Sequence, residues 1–374
     1  MTTPLAGIRV VEFGHYIAAP AATQMLADLG AEVVKIEPPS GDQARGIGAY
    51  GEGIVLAYNR GKRSVVLDLK RPGDRGIAAD LIARADVVVQ NLRTGALARL
   101  GLGPDEMRAA NPRLVYVSIS GFGAKGPSAG RAGLDIAAQA ESGMMSINGE
   151  QGGDPLRVGF PIADVAASYA AVQAVLAALL RRERTGEGGV AEVSLLNAAI
   201  HLQSAMWGEW HVSRQEPRRK GNGQATVAPA ADLVRTSDGT IVLSAYTPDR
   251  FARLCRVIGR EWMIDDPRFA DNPARVANRE ALLAEISQAL GGLRTEECLK
   301  LLGEQGIVAA AVRTYREVAG AADVRAGGVL TTGIGPDGDR YPIPSLPFAL
   351  DGVEPPADRA VPRPGADSDG PHWA

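Results

Sequence analysis

Short β-branched runs alternate with helix-length stretches through the first third of this chain, and that alternation constrains its fold more than any other feature. "IRVVEF" (8–13) and "EVVKIE" (32–37) flank "AAPAATQMLADLG", a helix that stops at Gly30. "SVVLDL" (64–69), the helix "GDRGIAADLIARA", "DVVVQN" (86–91) and "LVYVSISGFG" (114–123) continue the pattern. Strands separated by helices of this length join through right-handed crossovers, so the expected class is α/β with a mostly parallel sheet. Two long apolar helices, 164–184 and roughly 193–210, should complete a large domain over 1–213. "SRQEPRRKGNGQ" is polar, basic and carries Gly and Pro, which predicts a linker over 214–228. Beyond it "ADLVRTSDGTIVLSAY" reads as a hairpin turning at Asp238-Gly239. Helices over 249–258, 279–290 and 295–304 make a smaller α+β domain over 229–328, and 329–374 forms a Gly/Pro-rich C-terminal segment.

Several function classes are disfavoured. With 40 basic against 43 acidic residues there is no general attraction for nucleic acid. Only Cys255 and Cys298 occur, too few for a disulfide framework or a Cys-based zinc site. The four histidines have no metal-ligand spacing, and His15, near a strand end, is open to a functional reading but reads more readily as a packing or hydrogen-bonding residue. The first turn, "EFGHYIAAPAATQML", lacks the G-x-G-x-x-G that cradles a dinucleotide, and no Walker A loop or G-x-S-x-G elbow occurs. The start lacks a basic, then apolar, leader. Phe160 to Leu180 is apolar enough to resemble a membrane span, but Asp164, Ser168 and Gln173 interrupt it, so a buried helix is expected. The expected location is the cytoplasm, with no membrane and no nucleic acid as partner.

Two features point to chemistry. "NRGKRSVVLDLKRPGDR" sets Arg60, Lys62, Arg63, Lys70, Arg71 and Arg75 around one strand, and "QNLRTGALARLG" adds Arg93 and Arg99 after the next. Each reads as a solvated edge or as a phosphate groove, and their coincidence at neighbouring strand ends favours a phosphate-bearing ligand. The second feature is Asp164, a lone carboxylate at the mouth of "IADVAASYAAVQAVLAALL". Helix capping and a functional carboxylate are both open readings of it.

Taken together, "LAGIRVVEFGHYIAAPAATQMLADLGAEVVKIEPPSGD", "NRGKRSVVLDLKRPGDR", "VVQNLRTGALARLGLG", "NPRLVYVSISGFGAKGP" and "GFPIADVAASYAAVQAVLAALLRRERTGEGG" resemble the family III CoA-transferases. That superfamily includes formyl-CoA transferase, carnitine CoA-transferase and the α-methylacyl-CoA racemases, and the likeness extends to "PGADSD" near the end. It implies a Rossmann-like large domain, a small domain, a C-terminal segment that returns to the large one, and a homodimer of interlocked chains. Carried over from formyl-CoA transferase, the nucleophile falls on Asp164. Coenzyme A contacts fall on Ile17 and Ala18, on Leu67 and Lys70, on Asn91 and Leu92, and on Arg99 and Leu100. Ile17 stands where that enzyme has glutamine and Ala132 where it has a lysine, and its glycine-rich active-site loop is not evident in "KGNGQATVAP"; these departures argue against formate and oxalate.

The implied reaction moves coenzyme A from an acyl-CoA to a carboxylic acid through aspartyl anhydride and aspartyl-CoA intermediates. It needs neither a metal nor a cofactor beyond the coenzyme A thioester that is its substrate. An Asp with an ordinary pKa of about 3.9 is ionised at neutral pH, and the helix start offers N–H groups for a developing oxyanion. An α-methylacyl-CoA racemase is the alternative, but that branch carries "GHD" where this chain has "GLD", with Leu134 in place of the histidine and Asp135 after it. A non-catalytic CoA-binding protein is the alternative from another class, and retention of Asp164 argues against it.

Overall fold

The computed structural model describes residues 3–222, 231–350, 359–369 and 373. The chain divides into two compact units. One comprises Met1–Met145, Arg157–Gln215 and Ala322–Ala374, the other Ser146–Leu156 and Glu216–Ala321.

The larger unit is built on six parallel strands: β1 (Arg9–Phe13), β2 (Glu32–Glu37), β3 (Arg63–Val66), β4 (Val87–Gln90), β5 (Val115–Ser120) and β6 (Gly189–Ser194), in the order β3-β2-β1-β4-β5-β6. The connecting helices are α1 (Ala18–Asp28), α2 (Gly48–Tyr58), α3 (Pro72–Ala83), α4 (Pro104–Ala110), α5 (Asp135–Glu141), the single turn α6 (Met144–Ile147) and α7 (Ile162–Thr185). After β6 come α8 (Leu195–Leu202) and α9 (Ser204–Ser213). The mostly parallel sheet expected from the sequence is present, with one strand more than the pattern suggested. The single helix expected over 193–210 is the end of β6 followed by α8 and α9. Along β6 outward-facing Val190 and Glu192 alternate with more buried residues, as an edge strand requires.

Because successive strand side chains point to opposite faces, both faces of the sheet are apolar and both are covered. Val10, Val33, Val87, Val89, Val115 and Val117 pack against α1, α7 and α8. Val11, Phe13, Val34, Val65, Val88 and Tyr116 face Ala78, Leu81 and Ile82 of α3. The contact of α1 with α7 is made by alanines, Ala18, Ala19 and Ala22 meeting Ala163, Ala167 and Ala171 in one core. Such small side chains let two helices and a sheet approach closely, and overfilling that seam typically costs about 1–3 kcal/mol. α7 is long and apolar enough to cross a membrane, and here its alanine face is part of the core. It ends at Gly186, which takes the left-handed conformation (φ 78°) that a Cβ would strain.

The smaller unit carries the antiparallel strands β7 (Ala231–Arg235), β8 (Thr240–Ser244) and β9 (Val308–Ala311), ordered β7-β8-β9. The hairpin expected at Asp238-Gly239 joins the first two, and β9 is a partner the sequence pattern did not reveal. Helices α10 (Pro248–Val257), α11 (Asn272–Ala277), α12 (Arg279–Leu290) and α13 (Thr295–Glu304) pack on it around Phe251, Leu254, Ile286 and Leu302. Residues 223–228 of the expected linker, and most of "KGNGQATVAP", lie outside the described residues.

α14 (Tyr315–Gly320) closes the smaller unit, and α15 (Ala322–Ala326), β10 (Leu330–Ile334) and β11 (Arg340–Pro344) belong to the larger. Further on, the chain lies along the edge strand β3. Asp367 N–H donates to the Ser64 carbonyl, and the Asp367 and Ser368 side chains accept from Ser64 N and Val66 N. An otherwise open sheet edge is thereby covered.

Candidate active site

In an open α/β sheet the crevice beyond the carboxyl ends of the strands binds ligands, most often where the strand order reverses. Here β1 and β4 are neighbours whose connections leave in opposite directions, and the loops that follow them are tied together. His15 N–H donates to the Asn91 carboxamide oxygen at 3.0 Å, and the Asn91 amide donates back to the His15 carbonyl at 3.0 Å. His15 thus takes part through its main chain, while burial pushes its imidazole pKa down.

The β1 loop is held from beneath by a buried charge cluster. Glu12 accepts from Lys35 and Lys62, each at 2.7 Å, and from the Thr23 hydroxyl at 2.6 Å, with the carboxylate and both ammonium groups fully enclosed. Lys35 also donates to the Gly14 carbonyl and Lys62 to the Pro20 carbonyl, so the cluster grips both ends of the loop. A Cβ on Gly14 would come within 2.6 Å of the Glu12 carboxylate, which is why only glycine fits there. Tyr16, in the loop's middle, sits at φ 60°, a strained conformation for a residue with a side chain. The Asp42 carboxylate accepts its N–H at 3.1 Å and also pairs with Lys35 at 2.9 Å.

The residues expected to contact coenzyme A all follow the carboxyl ends of β1, β3 or β4. Ile17 and Ala18 open α1 and are buried. Leu67 is buried just past β3, while Lys70 is exposed at the end of the same turn. Leu92 and Leu100 pack against the α3-side core, and Leu92 N–H donates to the Gln90 side chain. Arg99 is exposed on a 3-10 turn (Ala98–Leu100). The larger basic groove expected around β3 is corrected. Lys62 is committed to Glu12, Arg60 to Asp28 at 2.5 Å, and Arg63 faces Glu32. Arg75 donates to the Leu69 and Lys70 carbonyls, and Arg71 lies by Asp68. Spacing along a strand cannot distinguish a solvated cation from one buried against an acid two strands away.

Asp164 lies on the first turn of α7, near the same end of the sheet because α7 runs antiparallel to the strands it connects. It is the third helical residue, not the cap: Pro161 holds the cap position and makes no side-chain capping bond. Capping comes instead from α5. One Asp135 oxygen accepts from Ala163 N at 2.7 Å and from Asp164 N at 3.3 Å, and the other accepts from the Gln139 amide at 2.6 Å. Gln139 in turn accepts from Val158 N at 2.8 Å. Two side chains one turn apart on α5 therefore clamp the chain that leads into α7. Their placement depends on Gly121 and Gly133, whose backbones approach so closely that a Cβ on Gly121 would lie 2.5 Å from the Gly133 Cα.

Two sequence expectations change as a result. The first-turn N–H groups are not free for an oxyanion, since Ile162 N donates to Phe160 O, Val165 N to Pro161 O, and the two between them to Asp135. Nor is Asp164 an ordinary acid. Burial, and then the negative charge of Asp135, raise its pKa to about 7. Its carboxylate has no hydrogen-bond partner among the described residues, and the charge it carries raises the pKa of Tyr58 on α2 after burial has done so. Leu134, at the cap position of α5, is exposed.

Residues 5–368 match CoA-transferase family III. The chain is 39% identical to the probable fatty acyl-CoA transferase Rv3272 of Mycobacterium tuberculosis over 84% of each chain. It is 36% identical to the succinate–glutarate CoA-transferase of Agrobacterium fabrum, over 93% of this chain and 89% of that one. Among solved structures, a CAIB/BAIF family protein from Brucella suis superposes with a TM-score of 0.88 at 33% identity, covering 98% of both chains. A parallel sheet with an acid at its carboxyl end and a likeness spanning the whole length agree, and the chain belongs to the family III CoA-transferases.

Proposed function

We propose that this CoA-transferase carries coenzyme A from an acyl-CoA to a carboxylic acid with Asp164 as its nucleophile. The observation that carries the reading is a half-buried carboxylate, free of hydrogen-bond partners among the described residues, beyond the carboxyl ends of the strands. An Asp164 oxygen attacks the thioester carbonyl, the C–S bond breaks, and coenzyme A leaves as thiolate with a mixed anhydride behind it. The thiolate attacks the aspartyl carbonyl of the anhydride, frees the donor acid as carboxylate and forms an aspartyl thioester. The acceptor carboxylate repeats both steps in reverse, so a new thioester leaves and Asp164 regains its charge. No step consumes a proton or calls for a metal. A pKa of about 7 gives the nucleophile more basicity than an exposed aspartate while leaving a large anionic fraction at neutral pH.

Ile17, Ala18, Leu67, Lys70, Asn91, Leu92, Arg99 and Leu100 are the proposed coenzyme A contacts, with Lys70 and Arg99 meeting phosphate. The proposed assembly is an interlocked homodimer in the cytoplasm; exposed Trp207, Trp210 and Val212 on α9 are apolar surface that a partner subunit would cover. A stable monomer in sedimentation velocity at micromolar concentration would refute it. Racemisation is disfavoured by the exposed leucine at position 134 and by Asp135, whose oxygens are already engaged.

The test is Asp164→Asn together with hydroxylamine. The wild type given donor acyl-CoA alone should form an aspartyl hydroxamate within the peptide bearing Asp164 and lose activity. The variant should form none and transfer at less than about a thousandth of the wild-type rate. Substantial transfer by the variant, with deamidation back to Asp checked by mass spectrometry, overturns the reading.

A further inference from the structure

We propose that Asp135 is the positioning residue for Asp164, fixing from α5 both where the first turn of α7 lies and when the neighbouring carboxylate carries charge. The inference rests on the reading of Asp164 as nucleophile. Asp135 is buried, and three donors converge on it: Ala163 N, Asp164 N and the Gln139 amide. It therefore holds the very peptide from which the nucleophile projects. Any tilt of that turn moves the Asp164 carboxylate, and displacements of about 1 Å cost orders of magnitude in an oriented attack.

The same contact brings two carboxylates together, so Asp135 disfavours the anionic form of Asp164. No other charge offsets this among the described residues packed on α7. Asp28 of α1 is bound to Arg60, and the Tyr116 hydroxyl of β5 donates to the Leu102 carbonyl. Glu141 of α5 pairs with Arg131, while Glu192 of β6 and His201 of α8 are exposed. The remaining neighbours are phenols, Tyr58 with Tyr50 on α2 and Tyr169 on α7 beside it, and burial raises the Tyr58 pKa.

Two variants separate the hydrogen bonds from the charge. Asp135→Asn keeps one oxygen for the two backbone N–H groups but turns an amide donor toward the Gln139 amide. Rotating Gln139 only moves the conflict to Val158 N. Adding Gln139→Glu resolves it, since a carboxylate at 139 accepts from both the new amide and Val158 N. The double variant thus retains the clamp and moves the negative charge away from Asp164.

The readout is the pH dependence of kcat/KM for acyl-CoA, which reports the free enzyme. The wild-type acidic limb should fall near pH 7. In both variants it should move to lower pH, yet remain above the range of an exposed carboxylate because burial is unchanged. A midpoint at pH 6 would raise activity at pH 6 about fivefold relative to each enzyme's own alkaline plateau. Asp135→Asn alone should also melt lower, with the double variant recovering most of the loss. Unmoved limbs in both variants, with Asp164→Asn inactive, overturn this proposal and leave the nucleophile in place. An active Asp164→Asn removes the nucleophile reading itself and this proposal with it.

Discussion

At the scale of single residues, position 164 was legible as a decision point in the sequence but its chemistry was not. A lone acid in an alanine-rich helix start invites the capping reading, and that reading fails because the cap comes from Asp135, 29 positions earlier. The spacing of Asp135 and Gln139, one helical turn apart, was a usable signal; it was hidden because "GLD" had meaning only through the histidine it lacks. The raised pKa of Asp164 has a consequence for stability. Its folded-state value near 7 lies above the ordinary 3.8, so the folded protein holds this proton more tightly than the unfolded chain. Stability contributed in this way is present below about pH 4 and is lost as pH rises to 7. Asp164→Asn, neutral at every pH, should escape that loss. Its melting temperature should exceed that of the wild type by more at pH 8 than at pH 5, and a gap that does not widen contradicts the burial of an ionising Asp164.

At the scale of elements, strands and helices of the first third were readable because parallel strands covered on both faces leave uninterrupted apolar runs. Two departures from the sequence pattern have a common origin. β6 is not evident in the sequence pattern, and its last two residues fall in the helix expected over 193–210, since the strand meets the Leu195–Leu202 helix without a breaker. The basic stretch after α2 reads as one surface, although Arg60 and Lys62 are buried against acids from other elements. The Glu12–Lys35–Lys62 cluster joins β1, β2 and the β3 lead-in and carries the strained Tyr16 loop. Removing one member of a buried ionic group leaves the others uncompensated, at a cost of roughly 3–5 kcal/mol. Glu12→Gln should lower unfolding stability by that order in a denaturant titration. A loss under about 1 kcal/mol would mean that the two lysines find other partners.

At the scale of the whole molecule, three loops far apart in sequence, 14–18, 67–70 and 91–100, converge because β3, β1 and β4 end on the same side of one parallel sheet. Lys70, Arg93 and Arg99 are exposed cations on those loops, and Lys70 and Arg99, the proposed phosphate contacts, should carry a salt-sensitive part of coenzyme A binding. Lys70→Ala and Arg99→Ala should each raise KM for acyl-CoA by roughly 5–10-fold with kcat little changed, and by less in 0.5 M salt. Unaltered KM in both variants would place the phosphates elsewhere. The sequence by itself determined the α/β class, the family and the acid that the proposed chemistry turns on, because periodicity and motif order are written in consecutive residues. Tertiary structure alone decided that Asp164 shares its site with Asp135, which basic residues are internal, and where the first turn of α7 is held. Those are properties of distance and burial between segments, and a pKa depends on the charges and solvent around a group rather than on its neighbours in the chain.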